Sequence, residues 1–242
     1  MNQTALKNKI NYFALFIFAV SMGFLEAIVV IYVRELYYPE GFAFPLNALP
    51  ANLISIEIIR EICTLLMLGS VAWLTAKTSL RRLSAFLFSF GVWDIIYYVA
   101  LKLFLDWPES LLTWDILFLI PITWVGPVLA PIICSALMIL MAVIFERFYL
   151  TKKLNEIKRA EFIFMVVGAV IISFAFTYDF GMLILKGGYL SDFFAIPENP
   201  EFLKELTTYI PTRFSWEIFS IGILFIFFGI GMIVKRVILN KN

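Results

Sequence analysis

The chain reads as an all-α, polytopic membrane bundle: six transmembrane helices plus a short re-entrant or interfacial helix before the fourth, in one integral membrane domain over 1–242. Three observations predict it. Of 242 residues, 62% are hydrophobic and only 15% charged, too apolar a balance for an ordinary soluble domain. The apolar residues gather into runs long enough, at roughly 1.5 Å per helical residue, to cross a hydrocarbon core about 30 Å thick. Lysine and arginine collect in alternate connections, as the positive-inside rule requires.

The first span covers 10–33, too long for a signal-peptide core and without a small-residue cleavage site after it, so it reads as a retained crossing. The link 34–50 carries Tyr37, Tyr38, Phe42 and Phe44 among Pro39, Gly41 and Pro45, which suits an aromatic-belt loop or a lid over the bundle mouth. The second span runs over 51–76. Lys77, Arg81 and Arg82 mark the next turn, and the third span follows over 83–105 with Tyr97 and Tyr98 placed to hydrogen-bond Asp94. The apolar region 111–150 is too long for one crossing. Pro121, Gly126, Pro127 and Pro131 divide it into a short helix over 108–120 and a full span over 128–150. The fifth span covers 160–185. In 186–211, Asn199-Pro200-Glu201 starts a helix whose Phe202, Leu203, Leu206, Tyr209 and Ile210 have amphipathic spacing, suited to the membrane surface. The sixth span runs over 212–234, and its Gly222, Gly229 and Gly231 permit close helix contact, within the chain or with a second copy.

Two full crossings within 111–150 would move Arg147, Lys152, Lys153, Lys158 and Arg159 to the opposite side from the other basic turns, so charge favours six crossings with both termini cytoplasmic in the plasma membrane. The acids show the reverse bias. Several lie inside spans, where a charge is expensive and marks a functional site by default. In Ser55-Ile56-Glu57-Ile58-Ile59-Arg60-Glu61, Glu57 and Glu61 stack on one helix face beside Arg60. Glu26, Glu57, Asp179 and Glu217 fall roughly 8 to 11 Å below the outer edge, and Glu61 and Asp94 nearer 15 Å. Paired limbs bring Glu26 to Glu57, Asp94 to Asp115 and Asp179 to Glu217, a pattern compatible with three helical hairpins around one outward-facing chamber.

Composition narrows the chemistry. With no histidine, haem and zinc lose their commonest ligand, and carboxylate-only coordination favours Mg, Ca or Mn. Cys63 and Cys134 form no CxxC motif and suit packing. A net charge of +1 supports no nucleic-acid partner. There is no DDxxD, HExxH or GxSxG motif. Adjacent helical side chains diverge by about 100°, so Trp93, Trp114 and Trp216 are expected to share no face with the acids that follow them; belt anchoring suits Trp107, Trp114 and Trp216, and packing suits Trp93.

The plainer reading of the cluster is that Arg60, Arg34 and Arg213 pair with these acids to hold the bundle together. It leaves acids over. Surplus carboxylates take up protons, bind a cation or receive a cationic or hydroxyl-rich ligand. The expected function is an outward-facing site, formed by Glu26, Glu57, Arg60, Glu61, Asp94, Asp115, Asp179 and Glu217, that binds and transports a small polar or cationic solute, coupled to protons or ions. Two alternatives stay open: a membrane-embedded enzyme acting on an amphiphilic or lipid-linked substrate at the outer leaflet, and a structural subunit of a homo-oligomer or membrane complex.

Overall fold

A computed structural model describes residues 10–151, 153–189 and 199–239. Its long helices are α1 (Tyr12–Tyr37), α2 (Ala51–Thr75), α3 (Ser79–Leu105), α4 (Leu129–Leu150), α5 (Arg159–Lys186) and α7 (Trp216–Leu239), with a short α6 (Pro200–Leu206) before the last. All of these except α2 and α6 are long and apolar enough to cross a bilayer. Their outward faces carry Phe13, Leu36, Leu74, Val170 and Leu224, each exposed by 60% or more. Large apolar side chains spread over the whole bundle are costly in water and normal against lipid. The chain is therefore a membrane-embedded helical protein.

Side-chain contacts give the helix directions. Tyr12 meets Ser84 and Gly23 lies against Trp93 and Ile96, so α1 and α3 run parallel. The chain must return between them, and α2 does so: Thr64 bonds Glu26, Leu68 packs with Met22 and Ala19, and Ala72 with Leu15. Arg81 near the start of α3 reaches Glu146 near the end of α4, so those two are antiparallel. The same holds for α5 and α7, where Glu161 meets Arg236. Gly168 and Gly222 let these two backbones touch; a Cβ on Gly168 would sit 2.6 Å from the Gly222 carbonyl oxygen. Gly229 also packs against α5, whereas Gly231 faces open space.

The expected short helix over 108–120 is absent. In its place is an antiparallel hairpin, β1 (Trp114–Phe118) and β2 (Trp124–Pro127), pairing Asp115 with Gly126 and Ile116 with Val125, with a bulge between Ile116 and Phe118. Aromatic and β-branched residues on both sides of Pro121 favour extended backbone, and the proline forbids a continuous helix. The hairpin packs between the helices: Phe118 lies near Phe90 and Trp93 halfway along α3, and Trp124 stacks on Phe176 of α5. A hairpin at this depth is tolerable because its strands satisfy each other and it lies among protein side chains, away from lipid.

Boundaries shift elsewhere too. Helix α1 continues through Tyr37, so Arg34 belongs to the helix and is buried, and α3 begins at Ser79, which brings Arg81 and Arg82 inside it. The amphipathic start at Asn199 is borne out: its side chain accepts the Glu201 and Phe202 N–H groups at 2.9 and 3.2 Å. Helix α6 then tucks Phe202 and Leu206 against Phe180, Ile184 and Tyr189. The part of that segment over 190–198 lies outside the described residues.

Candidate functional site

Five of the expected carboxylates meet at one place. Glu26 on α1, Glu57 and Glu61 on α2, Asp94 on α3 and Asp115 on β1 all line a cavity of about 130 Å³ near the hairpin end of the bundle, with Arg34 and Arg60 as its cations. Tyr38, Phe42 and Leu49 from the 38–50 link also line it, as expected of a lid. The Tyr38 phenol is raised above its ordinary pKa, chiefly by burial, although the Asn47 N–H it accepts works the other way.

Each acid has a different set of partners. Arg60 is clamped between two of them: it pairs with Glu26 and reaches Glu57 Oε2 from Nε at 2.9 Å and from Nη2 at 2.7 Å. Thr64 Oγ1, one turn further along α2, donates to Glu26 at 3.0 Å. Among the described residues, Glu61 receives no guanidinium hydrogen bond. Its two oxygens instead accept the Leu119 N–H at 3.0 and 2.9 Å, just past the bulge where that donor leaves the strand ladder. A backbone donor left unpaired inside a membrane protein costs free energy, so Glu61 anchors the hairpin as well as charging the cavity.

Asp115 is fully buried and holds Arg34 Nη2 at 2.8 Å, the Tyr98 hydroxyl at 3.2 Å and its neighbour's Ile116 N–H at 2.9 Å. The Arg34 guanidinium lies over the rings of Trp107, at 3.8 Å, and Phe42, at 4.3 Å. Cation–π contact replaces part of its lost hydration. Tyr98 thus serves Asp115, where the sequence had assigned both tyrosines to Asp94. Asp94 is instead met by Ser135 of α4 at 2.7 Å. That contact depends on Gly91, whose Cβ would lie 2.6 Å from the Ser135 carbonyl oxygen, so the helices approach as closely as backbone allows.

Two expected members fall elsewhere. Asp179 accepts a 2.7 Å hydrogen bond from Tyr209, tying the segment after α6 to α5. Burial and the Asp179 charge together hold the Tyr209 phenol well above its ordinary range, so it stays a donor. Glu217, exposed in the first turn of α7, pairs with Arg213 just before that helix. Neither lines the chamber, because α5 and α7 form a separate helix pair on the far side of the hairpin. The third limb pairing expected from the hydropathy pattern is therefore not formed.

Trp93 and Asp94 both line the cavity in spite of their divergent directions, because it extends over more than one face of α3. Trp93 also packs edge-on against Phe90 at 5.0 Å. Arg34, expected as a partner of the acids, pairs with Asp115 here, and Glu26, Val30 and Arg34, at helical four-residue spacing, all line the cavity. Thr64 was within reach of the same logic, seven residues beyond Glu57. Ser135 and the Leu119 N–H carried no local signal.

Five carboxylates facing two guanidiniums make the cavity formally anionic when all are ionised. Among the described residues no group of histidine, cysteine and acidic side chains is arranged to hold a metal ion. The chain matches no protein-family model, no curated protein and no solved structure.

Proposed function

We propose that this is a six-span carrier, with α2 as the sixth crossing, that binds a small polar or cationic solute in the hairpin-end cavity and moves it across the plasma membrane. The observation that carries the reading is the mismatch at the site, where five carboxylates from α1, α2, α3 and β1 share one cavity with two guanidiniums. A scaffold needs no such surplus, and the surplus offers two uses: taking up protons and exchanging them for a cation. Parallel α1 and α3 support a crossing by α2, since the chain has to traverse the bundle between them. Lys77, Arg81, Arg147, Lys153, Lys158 and Arg159 gather at the end opposite the cavity, which supports placing that end and both termini in the cytoplasm and the cavity toward the outside.

The test is flux. Proteoliposomes loaded with a pH-reporting dye are challenged with sodium, potassium, magnesium, ethanolamine and putrescine in turn. At least one solute is expected to drive a proton or charge movement that Glu61→Gln abolishes. Wild-type vesicles that respond to none of them, from protein that also binds none of them, would overturn the reading.

A further inference from the structure

A second cavity, of about 220 Å³, adjoins the first and shares Asp94, Leu117 and Phe118 with it. Its character is opposite. Apart from Asp94 and two serines, its walls are apolar, with Phe90 of α3, Cys134 and Met138 of α4 and Ile172 of α5 among them. It lies on the seam between α4 and the α5–α7 pair, two helical units bridged by the hairpin, and it reaches the lipid-facing surface at Ala169, an exposed residue of α5. Hydrocarbon-width gaps between helices in a bilayer are open to lipid chains from the side, because chain and gap share the same solvent.

The polar cavity makes a demand of its own. Trp93, 4% exposed, and Arg34, 6% exposed, both line it, and the Trp93 indole N–H and Arg34 Nη1 are buried with no hydrogen-bond partner among the described residues. Buried donors of this kind are rare and call for a partner. Carboxylates attract a cationic nitrogen, these donors call for an oxygen, and the apolar slot beyond Asp94 accepts a chain.

From this juxtaposition we infer that the occupant is a long-chain amino alcohol or similar single-tailed amphiphile: its ammonium sits among Glu57, Glu61 and Asp94, an oxygen next to the nitrogen meets Trp93, and its alkyl chain runs past Phe118 into the slot. The inference rests on the proposed cation site for its polar half and adds the class of ligand, which reaches the site sideways from the membrane.

Native mass spectrometry of the purified full chain, titrated with N-dodecylethanolamine, dodecylamine and ethanolamine, tests it. Wild-type protein is expected to bind N-dodecylethanolamine at least tenfold more tightly than ethanolamine and several-fold more tightly than dodecylamine. Ala169→Phe, at the mouth of the slot, should erase the advantage of the chain while leaving ethanolamine binding unchanged, and Met138→Trp on the facing wall should do the same. Trp93→Phe should erase the preference for the hydroxyl, and Glu61→Gln should weaken all three amines. Equal binding of N-dodecylethanolamine by wild type, Ala169→Phe and Met138→Trp would mean adventitious association and overturn the inference, as would wild-type protein that prefers ethanolamine. In either case, retained ethanolamine binding would leave the cation site standing. Failure of every amine to bind would remove both readings.

Discussion

The two ends of the bundle treat charge in opposite ways. At the end away from the hairpin, Arg81 grips Glu146 through Nη2 at 2.8 Å and Nε at 3.1 Å, and Arg236 grips Glu161 through two nitrogens, both at 2.7 Å. Each of these two buried acids has its own guanidinium, and the Glu161 carboxylate also accepts the Lys158 N–H that opens α5. At the hairpin end, one arginine is divided between Glu26 and Glu57, another is committed to Asp115, and Glu61 and Asp94 are left with a backbone amide and a serine hydroxyl. Matched pairs fix a structure, because neither partner gains by leaving. Unmatched acids hold a capacity that a proton or ligand can use. The difference lies in stoichiometry and placement: Glu161 and Arg236 occupy end turns of α5 and α7, whereas Glu61 and Asp94 lie near the middle of α2 and α3.

The matched end should show the largest losses of stability. Arg81→Ala or Glu146→Ala leaves a buried charge without its partner and is expected to cost about 3 to 5 kcal/mol, whereas the double variant Arg81→Met with Glu146→Leu should recover most of that loss. Thermal unfolding of detergent-solubilised protein checks both; a double variant as unstable as the singles would break the idea of a matched pair. Next comes Tyr209→Phe, which removes the hydrogen bond to Asp179 for a loss of about 1 kcal/mol. The Tyr209 phenol is raised in the folded state, so the stability it contributes is whole below its unfolded pKa of about 10 and declines as pH climbs toward the higher folded value. Midpoints recorded across the alkaline range should fall less steeply in Tyr209→Phe than in wild type.

Glu61→Gln should perturb stability least among the buried sites, by under about 1 kcal/mol, because the amide oxygen still accepts the Leu119 N–H. The same variant should abolish solute-driven flux. A Glu61→Gln protein as unstable as Glu146→Ala would erase the contrast between the ends. At the bottom of the scale, Lys102→Ala removes a surface pair with the fully exposed Asp106, whose carboxyl is held below its ordinary pKa by Lys102, and unfolding midpoints should not separate it from wild type.

Much of the cavity was readable one helix at a time. Glu57, Arg60 and Glu61 share a face because of helical periodicity alone, and the cost of charge in lipid made that face an inward one. What periodicity cannot convey is which inward faces look at each other. Asp179, like Glu26 in α1, sits inside a long apolar helix, yet it serves Tyr209 in a neighbouring compartment. The segment over 114–127 misled for a related reason: in an apolar chain a short hydrophobic stretch has no polar alternation to separate strand from helix, so length alone suggested a short helix.

From its letters alone, this protein was bound to be a membrane bundle of apolar helices with acids set into several of them, because hydrocarbon solvates long runs of Leu, Ile, Val and Phe and resists bare carboxylates wherever they occur. Only the folded arrangement decided that a β-hairpin would enter the bundle, that Glu26, Glu57, Glu61, Asp94 and Asp115 would share a cavity without Asp179 and Glu217, and that an apolar slot would open behind Asp94. Those outcomes come from pairings between residues far apart in the chain, such as Glu61 with Leu119 and Asp94 with Ser135. Such pairings are chosen by the packing of whole surfaces and leave no periodic trace in either partner's own segment.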